Sequence, residues 1–377
     1  MRMAPKRKST ENPPSMVYLS RARLHRARAN VIQTVKTVEG LVRIGVRVVL
    51  HLPPWKGKHQ LKDIQAHLGV TRSLDIQAHN GLRSLWKPFG FAPFFWRHGK
   101  TLRQSRAVYT RSADLSLALI HYGIPHSFEV HDMDALGRHG ILDRLVAARA
   151  KGLVRHFFPI SHAAARRLVD RGVPSACVHV CPCGADLSLF ENIVPWNPSG
   201  VQHPHVMYVG RISRDRGLGI LENLAMQAGC RVTVVGILED RPHTDRLQVV
   251  PFVPHHKVPL YLEQADILVM PYQRSLAHAG SISPMKLFEA MAAGRPILVS
   301  DLEPIQEIIQ HGKNGLCVPP EDERAWIDSV RFLQQHPHEA QRMATQAKKD
   351  AARFSWENRA RLLQQVLLNE NPESFHA

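Results

Sequence analysis

Short apolar runs alternate repeatedly with segments of helical period, and this alternation constrains the chain more than any other feature. Residues 16–19 form a first apolar run. Val31, Val35, Val38 and Val42 then fall three or four apart across 30–43, the spacing of one helix face. Residues 46–52 are β-branched and apolar and stop at Pro53-Pro54. Strand, helix and strand within about 40 residues make a βαβ unit, whose strands must run parallel.

The alternation continues along the chain. Strands are predicted at 107–110, 127–130, 156–159 and 178–181, and helices at 112–121, 141–151 and 163–171, the last capped by Ser161. Residues 191–204 are rich in Pro, Asn, Ser and Gly and read as a linker. A second series comes after it, with strands at 205–209, 231–235, 267–270, 297–299 and 315–318 and helices at 219–227, 257–264, 284–293 and 303–310. Two α/β halves of similar size predict two parallel sheets.

Composition and charge limit the function classes. With 44% hydrophobic and 21% charged residues the chain is globular. It contains no apolar stretch of transmembrane length. Residues 1–15 read as a loose basic tail; without an apolar segment they are not a secretory signal. The 5 cysteines are scattered without zinc spacing, so buried thiols, no metal and a cytoplasmic setting are expected. The net charge of +17 is lopsided, because Met1 to Arg111 holds 22 Lys plus Arg against 4 Asp plus Glu. Such a field concerns partners rather than fold: nucleic acid, an anionic membrane or a phosphorylated substrate.

Three segments carry candidate chemistry. In Ser281-Ile282-Ser283-Pro284-Met285-Lys286-Leu-Phe-Glu289, Ser283 suits an N-cap and Pro284 the first helical position. Free N–H groups at such a helix start can bind a diphosphate, Lys286 adds charge, and Glu289 can accept from the two hydroxyls of a ribose. An ordinary capped helix with solvated side chains is the plain alternative. In Tyr208-Val-Gly210-Arg211-Ile-Ser-Arg-Asp-Arg216-Gly217, a strand ends at a glycine that permits close approach, and beyond it lie two arginines that can hold a diphosphate. Surface arginines are the alternative there. In Phe128-Glu129-Val130-His131-Asp132, a polar cluster comes after a strand, and a neutral His can donate to a sugar hydroxyl. With 23 His in the chain, one His alone says little.

Taken in order, these segments resemble the retaining glycosyltransferases of the GT-B class, specifically glycosyltransferase family 4. Ala29-Asn30-Val-Ile-Gln33 with Gly45-Val-Arg-Val is similar to the family's first βαβ unit. Pro182-Cys-Gly184-Ala-Asp186-Leu-Ser-Leu-Phe190 is similar to its signature before the linker, and Gly210-Arg211 with Arg216-Gly217 to its phosphate loop. Ala265-Asp266-Ile-Leu-Val-Met-Pro271-Tyr272 resembles the strand before the donor site. Ser283-Pro284-Met-Lys286-Leu-Phe-Glu289, then Gly294-Arg-Pro296 and Asp301, resembles the donor helix and the segment after it. Phe354-Ser-Trp356 is similar to the start of the terminal helix. Two departures stand out: Arg216 replaces the usual lysine, and Ser281 sits where many members have a first glutamate.

The resemblance implies two Rossmann-like domains facing across a cleft, at 16–195 for the acceptor and 196–355 for the donor, with 356–377 crossing back to the first domain. It implies metal-independent, cofactor-free transfer with retention, from a UDP-, GDP- or ADP-linked sugar to a glycan or lipid-linked acceptor. Arg211 and Arg216 would stabilise the leaving diphosphate; Gly210, the segment Ser281 to Lys286 and Glu289 would hold the donor; His131 and Asp132 would face the sugar. An inactive homologue, a sugar-nucleotide epimerase and a basic nucleic-acid-binding protein are the rival readings; nucleic acid is not expected as a partner. The basic first domain, with Arg21, Arg23, Arg26, Arg28, Lys56, Lys58 and Lys62, is expected to dock peripherally on the anionic inner face of the cell membrane, with no hydrophobic anchor evident.

Overall fold

The computed structural model describes residues 15–368 except 27, 56–59, 84–88, 199–202 and 228. The expected tail, Ser15 apart, thus lies outside the described residues, as do Lys56, Lys58 and the end of the chain.

The first sheet contains β1 (Met16–Leu19), β2 (Val48–Leu52), β3 (Asp75–Ala78), β4 (Ala107–Thr110), β5 (His126–Val130) and β6 (Val154–Pro159). The second contains β7 (His205–Val209), β8 (Arg231–Val235), β9 (Leu247–Val250), β10 (Ile267–Met270), β11 (Ile297–Ser300) and β12 (Leu316–Val318). All pairings are parallel, and the orders are β3-β2-β1-β4-β5-β6 and β12-β11-β10-β7-β8-β9. Read outward from its first strand, each sheet has the same order. Both therefore reverse direction beside that strand, between β1 and β4 and between β7 and β10. Loops diverge at such a reversal and open a crevice at the carboxyl ends of the strands.

Burial explains why the strands read so plainly. β1, β4 and β10 are buried at every residue, as central strands covered on both faces must be. The edge strands β3 and β9 are largely exposed, lack a continuous apolar run, and are absent from the predicted elements. The predicted strand at 178–181 is an extended segment instead. It makes only two backbone bonds to β6, from His179 N–H to the Phe157 carbonyl (2.9 Å) and from Cys181 N–H to the Pro159 carbonyl (2.8 Å). Pro182 comes next and has no N–H to continue the pairing.

The helix Trp356–Leu368 crosses to the first domain and lies against the helix Ala29–Arg43. Ala360, Leu363, Val366 and Leu368 join the first domain's core there. The approach is close enough that a Cβ on Gly40 would lie 2.6 Å from the Trp356 carbonyl oxygen. Across the cleft, the Ser281 hydroxyl donates to the His131 carbonyl (3.2 Å), and the Cys183 N–H donates to the Ser283 hydroxyl (3.2 Å). The Glu307 carboxylate accepts from the His162 (2.7 Å) and Ala163 (2.6 Å) N–H groups, at the start of the helix His162–Asp170.

Candidate active site

The second domain's candidate site lies at the reversal between β7 and β10. β7 runs straight into Gly210, where a Cβ would lie 1.9 Å from Lys286 Nζ, so only glycine admits the lysine. The chain then makes a short turn, Arg214–Arg216, closed by Gly217 in the left-handed region at φ 82°. A Cβ on Gly217 would lie 2.0 Å from the Pro271 carbonyl at the end of β10. The two glycines thus let both strand ends and the helix Met285–Ala293 meet.

Three cations converge on this point. Arg216 is 9% exposed, and its guanidinium donates to the Ser213 hydroxyl (3.0 Å) and Asp215 (3.1 Å). Arg211 is more open and pairs with Glu239 at 3.0 Å; Glu239 also lies 3.5 Å from Arg216. Lys286 Nζ donates to the Tyr208 hydroxyl at 2.9 Å and stands over the Tyr208 and Tyr272 rings at 4.3 and 5.3 Å from their centres. Among the described residues it has no carboxylate at ion-pair distance. Burial, and then the charge of Arg216, bring Lys286 down to about 7.

Ser283 does not cap the helix, contrary to expectation. Pro284 occupies the cap position without a side-chain bond, because the Ser283 hydroxyl turns to Cys183 across the cleft. Glu289 is also engaged: its Oε1 lies 2.5 Å from His255 Nε2. His255 Nδ1 is buried and has no hydrogen-bond partner among the described residues. Ser281 is fully buried, with its hydroxyl on His131, so it points into the domain contact rather than offering a free polar group. Ile282 and Met285 complete the loop, buried and partly buried.

The first-domain side is built around Glu129, a fully buried carboxylate on β5. It accepts from Gln33 (2.6 Å) and Tyr109 (2.7 Å), and Arg359 of the terminal helix lies 2.6 Å away. Burial alone would raise its pKa; Arg359, then His131, overcome burial and hold it well below the usual carboxylate range. His131 Nε2 is 2.6 Å from Glu129 Oε1. Burial, then Arg111, push His131 down to about 4, so the ring is neutral at physiological pH. An ionised Glu129 can only accept, so Nε2 carries the proton and Nδ1 the lone pair. Nδ1 is therefore able to accept a hydrogen bond, where the sequence suggested a donor.

Asp132 has a more local duty than expected, since its Oδ1 accepts from Ala135 N–H (2.8 Å) and caps the helix Met133–Arg138. His278 was missed by sequence reasoning. Its pKa is lowered by burial and then by Arg216, and raised by Asp132. Tyr208 and Tyr272 stood in the quoted motifs without a role. Nothing in the sequence singles out His255, His278 or Arg359 among so many His and Arg. Cys181 and Cys183 are buried as expected, and burial raises their thiols to about 12 and about 11, far from thiolate chemistry. Among the described residues no group of three or more His, Cys, Asp or Glu is arranged to hold a metal ion.

Two Rossmann-like domains of the same strand order, a cleft between them and a terminal helix returning to the first define the GT-B class. Solved structures share this fold: sucrose-phosphate synthase from Thermosynechococcus elongatus has a TM-score of 0.72 at 17% identity, over 93% of this chain and 98% of that one. Anabaena Alr3699/HepE, solved in complex with UDP-glucose, has a TM-score of 0.68 at 15% identity, over 94% and 99%. Residues 31–189 match the family described as Glycosyltransferase Family 4, and residues 203–336 match Glycosyl transferases group 1, so the two matches span most of the chain. The chain belongs to this family of glycosyltransferases. The amylovoran biosynthesis glycosyltransferase AmsK of Erwinia amylovora is 27% identical over 182 residues, 44% of each chain. A D-inositol 3-phosphate glycosyltransferase of Corynebacterium urealyticum is 32% identical over 143 residues, 38% of this chain and 29% of that one. The chain spans less than half the length of these curated relatives.

Proposed function

We propose that this chain transfers a sugar from a nucleotide-sugar donor to a glycan or lipid-linked acceptor, with retention of configuration. The observation that carries this reading is the convergence of Arg211, Arg216 and Lys286 on Gly210, at the reversal point of the second sheet. As the bond from the sugar to the diphosphate breaks, negative charge grows on the leaving phosphate. Cations already in place there lower the barrier without a metal or another cofactor. Lys286 completes its protonation as the diphosphate arrives. Glu289, oriented by His255, accepts from the ribose hydroxyls. His131 Nδ1 accepts from a hydroxyl of the transferred sugar. The acceptor oxygen enters on the face the diphosphate leaves, and its proton passes to the departing phosphate oxygen. A donor-complexed fold relative and relatives named for polysaccharide biosynthesis support the donor and acceptor classes.

The first domain is read as docking peripherally on the anionic cytoplasmic leaflet, where lipid-linked acceptors are presented. Its excess of basic residues supports this, and no helix among the described residues is long and apolar enough to cross a membrane. A thermal-shift panel of UDP, GDP, ADP and their sugars tests the donor, since a ligand of the folded state raises the melting temperature. A melting temperature unmoved by every nucleotide sinks the reading. Binding without release of nucleoside diphosphate identifies an inactive homologue, the reading that Ser281 favours.

A further inference from the structure

The helix Ala92–Gln104 links the edge strand β3 to the central strand β4. Phe94, Phe95, Gly99 and Leu102 face inward, and both phenylalanines and Leu102 pack with Val17, Leu19 and Val108 of the sheet. The outward face bears Trp96, Arg97 and Lys100. Trp96 is 91% exposed, the most open of the chain's large hydrophobic side chains among the described residues. An indole left in water is unfavourable unless something covers it, because large apolar side chains gain most from burial.

The surrounding charge indicates what covers it. From Ile76 to Ala113 the sequence contains no Asp or Glu and seven Lys or Arg. Arg103, Arg106 and Arg111 are drawn into contacts with Tyr122, Leu368 and Gln33. Arg97 and Lys100 remain exposed beside the indole. Of the basic residues that the sequence offers for membrane contact, Arg21 is paired with Asp114, whereas Arg26, Arg28 and Lys62 are exposed.

Position supplies the second argument. His98 of this helix packs against His79, just beyond β3, with ring centres 4.5 Å apart, and against His51 near the end of β2 at 5.2 Å. Phe94, near the start of the helix, packs against the same His51 and His79 rings at 5.5 and 5.2 Å, so the start of the helix sits at the carboxyl edge of the first sheet, the edge that borders the cleft. We propose that the outward face of Ala92–Gln104 is the membrane-docking surface, with Trp96 entering the headgroup layer of an anionic leaflet and Arg97 and Lys100 held at its phosphates. This rests on reading the first domain as membrane-facing and adds the hydrophobic anchor that the sequence did not show. Tryptophan suits that depth because its ring is apolar and its N–H can bond at the interface.

The test uses the full chain with phosphatidylcholine vesicles, with and without phosphatidylglycerol, at low and high salt. Wild type is expected to sediment with the anionic vesicles at low salt and to be released by salt. W96A, and separately R97E/K100E, should each lower partition by about tenfold, as expected when an interfacial anchor or two basic contacts are lost. Melting temperatures should be unchanged, since all three side chains are exposed. Brominated lipid should quench wild-type tryptophan fluorescence and quench W96F much less. Vesicle binding by both variants equal to wild type would move the surface elsewhere on the domain and overturn this assignment alone. No wild-type binding to anionic vesicles, or wild-type binding only to labelled duplex DNA, would overturn the membrane reading as well.

Discussion

Lys36 and Lys286 are both lysines set among packed side chains, and their surroundings are opposite. Lys36, on the helix Ala29–Arg43, has a side chain 1% exposed and lies 2.8 Å from Glu39 and 2.8 Å from Asp186. Arg43 reaches the same two carboxylates and also Glu357 of the terminal helix, at 2.6 Å. Burial would raise the Asp186 carboxyl, but Lys36 and Arg43 bring it down to about 2. Every charge in that network is answered from within the protein, and its members tie the first helix, the signature loop and the terminal helix together. Lys286 has a tyrosine hydroxyl and two ring faces, with two arginines nearby; among the described residues no carboxylate stands at ion-pair distance, and the charge of Glu289 only partly offsets that of Arg216. A buried cation whose compensation is missing is destabilised, and its pKa falls. The first lysine is part of the scaffold; the second is the one the proposed diphosphate would meet.

The two lysines and their neighbours should respond differently to five perturbations. Lys36→Met should destabilise the fold by about 3–5 kcal/mol, the cost of leaving buried carboxylates unpaired. Urea unfolding measures it, and a loss below about 1 kcal/mol would show that Arg43 alone can balance the network. Lys286→Ala should leave stability nearly unchanged or slightly improved, while turnover at saturating donor falls by about 100-fold or more. Normal turnover would remove Lys286 from leaving-group stabilisation.

Glu289→Ala should weaken nucleotide binding by about 1.5–3 kcal/mol, the range for hydrogen bonds to a charged group. Calorimetric titration of wild type and variant decides this, and equal affinities would end the ribose assignment. The pH dependence comes next. With Lys286 near 7 in the free protein, it is already charged below that pH. Above it, binding the diphosphate must also take up a proton, so donor affinity should fall by up to about tenfold per pH unit. Titrations in buffers of different ionisation enthalpy count the proton directly. An affinity flat from mildly acidic to mildly alkaline pH would contradict the depressed lysine. The smallest effect is expected at the domain contact. Glu307→Ala removes an acceptor from two N–H groups at a helix start and should cost about 1 kcal/mol. The particles should become more open by small-angle scattering, and unchanged scattering would mean that Ser281 and Ser283 hold the domains without it.

Much of the fold was readable because its signals are local. The residues of β1, β4, β7, β8 and β10 match the predicted runs end for end. These strands are mostly buried, so their apolar content is continuous. β3 and β9 escaped because half-exposed edge strands tolerate Gln and Asp. The helices Glu323–Gln335 and Pro337–Ala351 are also absent from the predicted elements, although the signal of the first is local and clear. Asp322 caps it, and Trp326, Ile327, Val330 and Leu333 show its inward face. The meeting of Gly210, Arg211, Arg216 and Lys286 was readable because they lie within two short segments at strand ends.

Local sequence located the buried strands and the helices next to them, required two parallel sheets, and marked the short segments that carry cations at strand ends. Those properties depend on neighbours a few residues away. Only the tertiary structure decided what each polar group does. Glu129 meets Arg359 across 230 positions of chain, and the proton on His131 is placed by that meeting. Ser283 has the right chemistry to cap its own helix, yet its hydroxyl serves the Cys183 N–H. A hydrogen-bonding group takes the partner that folding brings within about 3 Å, and distance along the chain does not set that distance in space.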